Sequence, residues 1–173
     1  MTSGTPRGPP HTDPLGQGPG LDRDSFGHAA VANKGSGDDG SRRLLMVERS
    51  DGHGWAVPGG YVEPGEDPAH AAVRGLEEET GLTLGGVPWR VLPARYVPDP
   101  RASDEAWMVT VPSTVHLDPL PHGGLPAVAG ADDTERAAWV RADIYIDLAA
   151  HLAAVYRGRV FAAHRAMLTE PLG

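Results

Sequence analysis

GGYVEPGEDPAHAAVRGLEEETGL, residues 59 to 82, is the stretch on which the reading of the fold turns. Gly59 and Gly60 permit a tight approach of the backbone to a ligand. Pro64 and Gly65 predict a turn. Asp67 followed by Pro68 is an N-cap with a proline in the first turn. Small or apolar residues then recur at Ala69, Ala72, Val73 and Leu76, the i, i+3, i+4, i+7 spacing of a buried helical face. Gly81 is a natural C-terminal stop. Arg74 and Glu78 are four apart and can pair along one face of that helix.

The acidic end of this helix points to chemistry. Glu78 and Glu79 are adjacent, and neighbouring carboxylates repel unless something neutralises them. A hard divalent cation does so, and Mg²⁺ takes a few carboxylates together with substrate phosphate oxygens. The competing explanation is a solvated acidic face. It accounts for Glu77 and leaves the spacing of the whole stretch unexplained.

The stretch resembles the Nudix box, Gly-x5-Glu-x7-Arg-Glu-hydrophobic-x-Glu-Glu-x-Gly-hydrophobic. Gly60, Glu66, Arg74, Leu76, Glu78, Glu79, Gly81 and Leu82 fall in register. One position departs: the Glu expected after the Arg is Gly75. The resemblance implies that Glu78 and Glu79 bind the metal, with the carbonyl of Gly59 or Gly60 completing the shell. Glu66 holds the loop or the helix, and Arg74 orients Glu78. The implied cofactor is Mg²⁺, with Mn²⁺ as an alternative. Because Gly75 supplies no carboxylate, the base is sought elsewhere, at Glu105, Asp132, Asp133 or Glu135. Glu77 is no substitute, since two residues along a helix turn it by about 200°.

Composition narrows the classes. The chain has 173 residues, 40% of them hydrophobic, enough for one domain with a core. A net charge of −8 and a pI near 5.4 argue against a nucleic-acid binder. There are no cysteines, so disulfides, thiolate nucleophiles and zinc-thiolate sites are excluded. No secretory h-region or run of about 20 apolar residues appears, and a cytoplasmic protein without a membrane partner is expected.

Along the chain, residues 1–24 are mostly Gly, Pro, Thr and Asp and are expected to be a disordered tail, with the domain occupying 25–173. Residues 25–33 are the first stretch able to pack. Leu44–Glu48 and Trp55–Val57 read as strands around a polar turn, Val87–Val97 as β-like, and Ala106–Val115 as a strand with Pro112 near an edge or bulge. Thr134–Val140 is a further strand. Residues 145–168 read as one long helix, with Ile144, Leu148, Leu152, Val155, Val160, Ala163 and Met167 as a broken stripe and Gly158 as its weak point. Strands, a helix, more strands and a helix predict an α+β fold, an α/β/α sandwich on a mixed central sheet. The Nudix fold has that order.

A second resemblance concerns the substrate. Residues 96–107, YVPDPRASDEAW, are similar to a segment of mitochondrial-type ADP-ribose pyrophosphatases and of the ADP-ribose-sensing domain of a melastatin-type channel. Residues 129–133, AGADD, ahead of Trp139–Val140, resemble a second segment of that family, and Leu148–His151 a helix start carrying a ligand-contacting His. The resemblance implies that Trp107 or Tyr96 stacks on adenine, that Asp104, Asp132 and Asp133 bind ribose hydroxyls or the metal site, that Arg101 neutralises a phosphate or braces the loop through Asp99, and that His151 contacts the distal ribose or a phosphate. The implied reaction is Mg²⁺-dependent hydrolysis of ADP-ribose to AMP and ribose 5-phosphate. The alternatives are a sensor module that binds ADP-ribose and hydrolyses it poorly, and a Nudix hydrolase of another nucleoside diphosphate derivative. The expected partner is that small molecule, taken by a monomer or a homodimer.

Overall fold

The computed structural model describes residues 25–33, 40–97 and 108–172. The expected tail, and with it Asp99, Arg101, Asp104, Glu105 and Trp107, lies outside the described residues.

The described strands, in chain order, are β1 (Ser25–Asn33), β2 (Arg43–Arg49), β3 (Trp55–Ala56), β4 (Gly59–Tyr61), β5 (Arg90–Val91), β6 (Arg95–Val97), β7 (Met108–Leu117) and β8 (Thr134–Arg141). The helices are α1 (Pro68–Thr80), α2 (Tyr145–Tyr156) and α3 (Arg165–Leu172), with a 3-10 turn at Ala162–His164 before the last. β1 runs parallel to β7 along its whole length, and the other pairings are antiparallel. The sheet is therefore mixed, as expected.

The sheet splits where the site forms. β2 pairs with β1 only through Ala32–Leu44 and Asn33–Arg43. Farther along, β1 takes β4 as its partner (Phe26 with Tyr61, His28 with Gly59) and β2 takes β3 (Val47 with Ala56). The chain crosses this opening at Pro58, whose carbonyl accepts from Ala29 N at 2.8 Å.

Period-2 alternation distributes the core over two faces. Ala29, Val31, Leu45 and Val115 pack with Ala72, Leu76 and Leu82 on the α1 face. Leu44, Met46 and Val140 pack with Leu148, Leu152, Met167 and Leu168 on the face of α2 and α3. The result is the α/β/α sandwich expected from the order of elements.

α1 begins and ends as its sequence directs. The Asp67 side chain accepts from Ala69 N at 2.8 Å, and Gly81 adopts φ 69°. Its buried face is displaced from the expected one, to Ala71, Ala72, Gly75, Leu76 and Thr80, while Ala69 and Val73 are only half-buried. The displacement comes from backbone-to-backbone contact. A Cβ on Gly75 would stand 2.3 Å from the Gly59 carbonyl carbon, and one on Gly27 2.1 Å from the Pro68 carbonyl oxygen. Side-chain-free positions on the helix, β1 and β4 let α1 lie directly on the sheet.

Three further expectations need correction. The long helix stops at Tyr156, because Arg157 turns left-handed at φ 53° and a Cβ on Gly158 would collide with the buried Trp55 indole, 2.5 Å from Nε1. Val160 bridges to Trp55 before the chain turns helical again. The expected stripe loses Ile144 and Val155, which are exposed. The β-like stretch at 87–97 is two short strands separated by Leu92–Ala94. Pro112 sits where those strands part, its carbonyl accepting from Leu92 N at 2.8 Å. Its missing N–H faces the gap, which a proline tolerates.

Candidate active site

A cavity of about 280 Å³ opens at the split in the sheet. Gly59, Gly60, Glu78 and Glu79 line it from β4 and α1, and Asp132 and Asp133 from the loop before β8. Arg49 lines it from the end of β2 and Asp51 from the turn that follows, and Phe26, His28, Tyr61, Phe161 and His164 form much of its remaining wall.

Glu79 is the most perturbed group described. Its carboxyl accepts from Gly59 N at 3.1 Å. Burial pushes its pKa up to about 8, opposed by that backbone bond, and the negative charges of Asp133 and Asp132 push in the same direction as burial. Arg49 opposes them. An acid held protonated by burial and by facing carboxylates marks a place where positive charge is wanted.

Glu78 is held differently. Arg74, one turn back, reaches it at 3.3 Å. The same guanidinium lies 3.2 and 3.0 Å from the two oxygens of Glu66 and donates to the Tyr61 carbonyl at 2.8 Å. The hydrogen bond from Arg74, followed by that from the Glu63 backbone N–H, holds the Glu66 carboxyl below its ordinary range. Arg74 thus ties α1 to both ends of the turn that leads into it.

Arg49 donates from Nε to both carboxylate oxygens of Asp51 at 3.1 Å, and its Nη2 contacts Asp51 as well. This hydrogen bonding is the chief reason that Asp51 drops to a pKa of about 2. The guanidinium also lies 4.5 Å from the centroid of Phe161. From there a belt of rings crosses the cavity wall: Phe161 to His164 at 5.2 Å, His164 to His28 at 4.3 Å, His28 to Phe26 at 5.8 Å and Phe26 to Tyr61 at 4.0 Å. Hydrogen bonds fix the two imidazoles. Val57 N donates to His164 Nδ1 at 3.1 Å, and His28 Nδ1 lies 2.6 Å from Thr110 Oγ1. Tyr61, at the far end of the belt, is 48% exposed and so open to a ligand.

The expected residues separate accordingly. The fold brings Gly60, Glu78, Glu79, Asp132 and Asp133 to one cavity, and Arg74 lines it while binding Glu66. Tyr96 lies in β6 and is not among the lining residues. His151 does not reach the cavity. It sits on α2, across the sheet from α1, with its ring 6.1 Å from Tyr156. Glu135 is exposed on β8 and also stays outside the lining. Sequence reasoning missed Glu63, Arg49, Asp51 and the whole aromatic belt. Arg49 and Asp51 carry a local signal, a charged pair where β2 gives way to the turn before β3. The belt carries none, because its rings come from three separate segments.

The donor set suits a hard cation. Carboxylates and the backbone of Gly59 and Gly60 are oxygen ligands, and half-buried Glu79 facing Asp132 and Asp133 lacks a cation that would favour its ionised form. Among the described residues no three His, Asp or Glu side chains form a cage by themselves. The arrangement therefore fits an ion held by two box carboxylates and completed by water or phosphate oxygens. No described helix is long and apolar enough to cross a membrane.

Residues 27–162 match the NUDIX domain family. A Caenorhabditis elegans protein named nudix hydrolase 6 is 33% identical over 113 residues, 60% of this chain and 42% of that protein. A transient receptor potential cation channel subfamily M member-like 2 protein of Nematostella vectensis is 30% identical over 114 residues, 57% of this chain and 7% of the channel. The matched stretch spans less than half the length of either relative. Among solved structures, the NUDIX domain of Shewanella oneidensis NrtR, complexed with ADP-ribose, superposes with a TM-score of 0.58 at 20% identity, covering 91% of this chain and 89% of that one. A bifunctional NMN adenylyltransferase/ADP-ribose pyrophosphatase of Francisella tularensis, complexed with AMP and a manganese ion, gives 0.58 at 22% identity, covering 90% and 44%. At these identities the structures share the fold.

Proposed function

The chain belongs to the Nudix family, and we propose that it hydrolyses the pyrophosphate bond of ADP-ribose, giving AMP and ribose 5-phosphate. The observation that carries this reading is the joining of two surfaces in one cavity: an acidic cluster at Glu78, Glu79, Asp132 and Asp133, and the ring belt ending at exposed Tyr61. The first suits a diphosphate with its counter-cation, and the second a nucleobase.

Glu78 and Glu79, with the Gly59 or Gly60 carbonyl, would hold Mg²⁺ or Mn²⁺, and the ion would supply positive charge to the phosphoryl oxygens. Glu66 acts through Arg74, which keeps Glu78 turned toward the cavity. Asp132 or Asp133 accepts the proton of the attacking water. The water oxygen forms the new bond to one phosphorus, the bridging P–O bond breaks, and the leaving phosphate takes the bond's electron pair. Tyr61, on Phe26, offers a face on which adenine stacks. Arg49, braced by Asp51 and Phe161, is the cation of the cavity closest in function to a phosphate clamp.

A second reading, binding of ADP-ribose without turnover, draws on one observation. The position of the missing box carboxylate, Gly75, is filled by the Gly59–Gly60 backbone. Incubating the full chain with ADP-ribose and Mg²⁺ and following AMP release separates the two. Turnover that is lost in Glu79→Gln supports the hydrolase. Calorimetric binding of ADP-ribose with no AMP formed refutes it in favour of the sensor.

A further inference from the structure

Asp132 and Asp133 lie more than fifty residues beyond Glu78 and Glu79, on a different element, yet the two acidic groups face one another across the cavity lining. The contacts that hold the loop in place therefore also decide where the acids stand.

Those contacts are made at the C-terminal end of α1, where the last carbonyls have no helical partner. The Glu77 carbonyl takes the Gly81 amide at 2.8 Å. The next free carbonyls are taken by the acidic loop: Ala129 N donates to the Thr80 carbonyl at 3.2 Å, and Ala131 N to the Glu79 carbonyl at 3.1 Å. Thr134 occupies the centre of this junction. Its hydroxyl accepts from Ala131 N at 3.1 Å and lies 2.7 Å from the Ala131 carbonyl and 3.1 Å from the Glu79 carbonyl. Thr134 N also donates to the Ala131 carbonyl at 3.1 Å, closing the turn in which Asp132 takes the left-handed φ of 55°. On the other side, Ser50 N donates to the Asp133 carbonyl at 3.2 Å, so the turn carrying Arg49 and Asp51 is bound to the same loop.

We propose that Thr134 is a positioning residue: its hydroxyl locks the Asp132–Asp133 loop to the carbonyl of Glu79 and so sets the separation of the two acidic groups that receive the cation and the diphosphate. The inference rests on the hydrolytic reading of the cavity for its consequence, and on the hydrogen bonds alone for the lock. The substitution Thr134→Ser keeps the hydroxyl. Thr134→Val keeps the shape and removes both the donor and the acceptor. Thr134 also lines the cavity, and the role assigned to it is exerted through the loop.

The test compares the wild-type chain, Thr134→Ser and Thr134→Val. Mn²⁺ alone is titrated into each protein by calorimetry, and amide exchange of Ala131 is followed in the metal-free protein. Valine is expected to weaken Mn²⁺ binding by about 10–100-fold, the loss typical when a partner that orients a metal ligand is removed, with serine close to wild type. Ala131 is expected to exchange faster in the valine variant only. With ADP-ribose and Mg²⁺, KM is expected to rise and serine to restore it. Unchanged Mn²⁺ affinity in folded Thr134→Val overturns the proposal, even if its melting temperature falls. Should the wild type bind no Mn²⁺ and release no AMP, the hydrolytic reading fails, and the lock is judged on exchange alone. Ala131 protection that survives in the valine variant then refutes it.

Discussion

Replacing Gly75 by alanine pits helix propensity against contact. In an open helix the change gains about 0.5–1 kcal/mol, because alanine loses less backbone freedom on folding. Here the new Cβ would stand 2.3 Å from the Gly59 carbonyl carbon, 2.6 Å from its oxygen and 2.6 Å from Gly60 N. Ordinary carbon contacts begin at about 3.5 Å, so α1 and β4 must separate by roughly 1 Å. Every obstructing atom belongs to the backbone, and no rotamer change relieves the clash. Inserting a methyl into so closed a space costs about 1–3 kcal/mol. Set against the propensity gain, Gly75→Ala is expected to destabilise by up to about 2.5 kcal/mol. The separation also stretches the bond from Gly59 N to the Glu79 carboxyl, now 3.1 Å, so metal affinity should fall with stability. Gly75→Glu places a longer side chain in the same gap. It should therefore lose stability and gain no activity, although it restores the box signature. Urea unfolding with a Mn²⁺ titration measures both effects. A Gly75→Ala protein more stable than wild type by the full propensity gain would refute the argument, because it would show that the helix does not sit on the β4 backbone.

The pKa of Glu79 makes metal-free stability depend on pH. Its folded value, about 8, lies above the ordinary 4.5, so its contribution is fully present below pH 4.5 and is lost as pH rises toward and through 8. Thermal unfolding without metal should fall across that window; Glu79→Gln should flatten the slope, and Mg²⁺ should raise the melting temperature more at pH 8 than at pH 6. Tyr61→Ala removes the exposed end of the ring belt, and steady-state kinetics should show KM for ADP-ribose rising by roughly tenfold or more with kcat little changed, since stacking on one base is worth about 1–3 kcal/mol. An unchanged KM would remove the aromatic shelf from the site. Gly158→Ala drives a methyl against the buried Trp55 indole, 2.5 Å from Nε1, and should cost about 1–3 kcal/mol in urea unfolding with a shift in tryptophan emission.

The elements that local rules govern were legible in the sequence. Asp67, Pro68 and Gly81 mark the ends of α1, because a cap and a left-handed stop are properties of single residues and their immediate neighbours. The alternation of Leu44, Leu45 and Met46 places both core faces on β2. What failed depended on distant contacts. Nothing near Gly158 in sequence tells that Trp55, about a hundred residues earlier, claims the space above it, so a break read as a continuing helix. The same break delivers Phe161 and His164 to the cavity, and the unread belt is thus one consequence of the misread helix.

Gly75 shows the sharper limit. In the linear motif a glycine in place of glutamate reads as a lost carboxylate, a defect to be made good by a remote base. In three dimensions the same glycine is the contact by which α1 rests on Gly59 and Gly60, with Gly27 making a second such contact near the start of the helix. That seating also brings Glu79, one turn beyond Gly75, close enough to accept the Gly59 amide and to be buried opposite Asp133. A bulkier residue at 75 would hold the helix off and leave Glu79 nearer water, with a lower pKa and a weaker demand for a cation. The missing side chain and the perturbed acid are therefore two results of one packing choice. A repair of the motif at position 75 undoes the environment of the carboxylate at position 79.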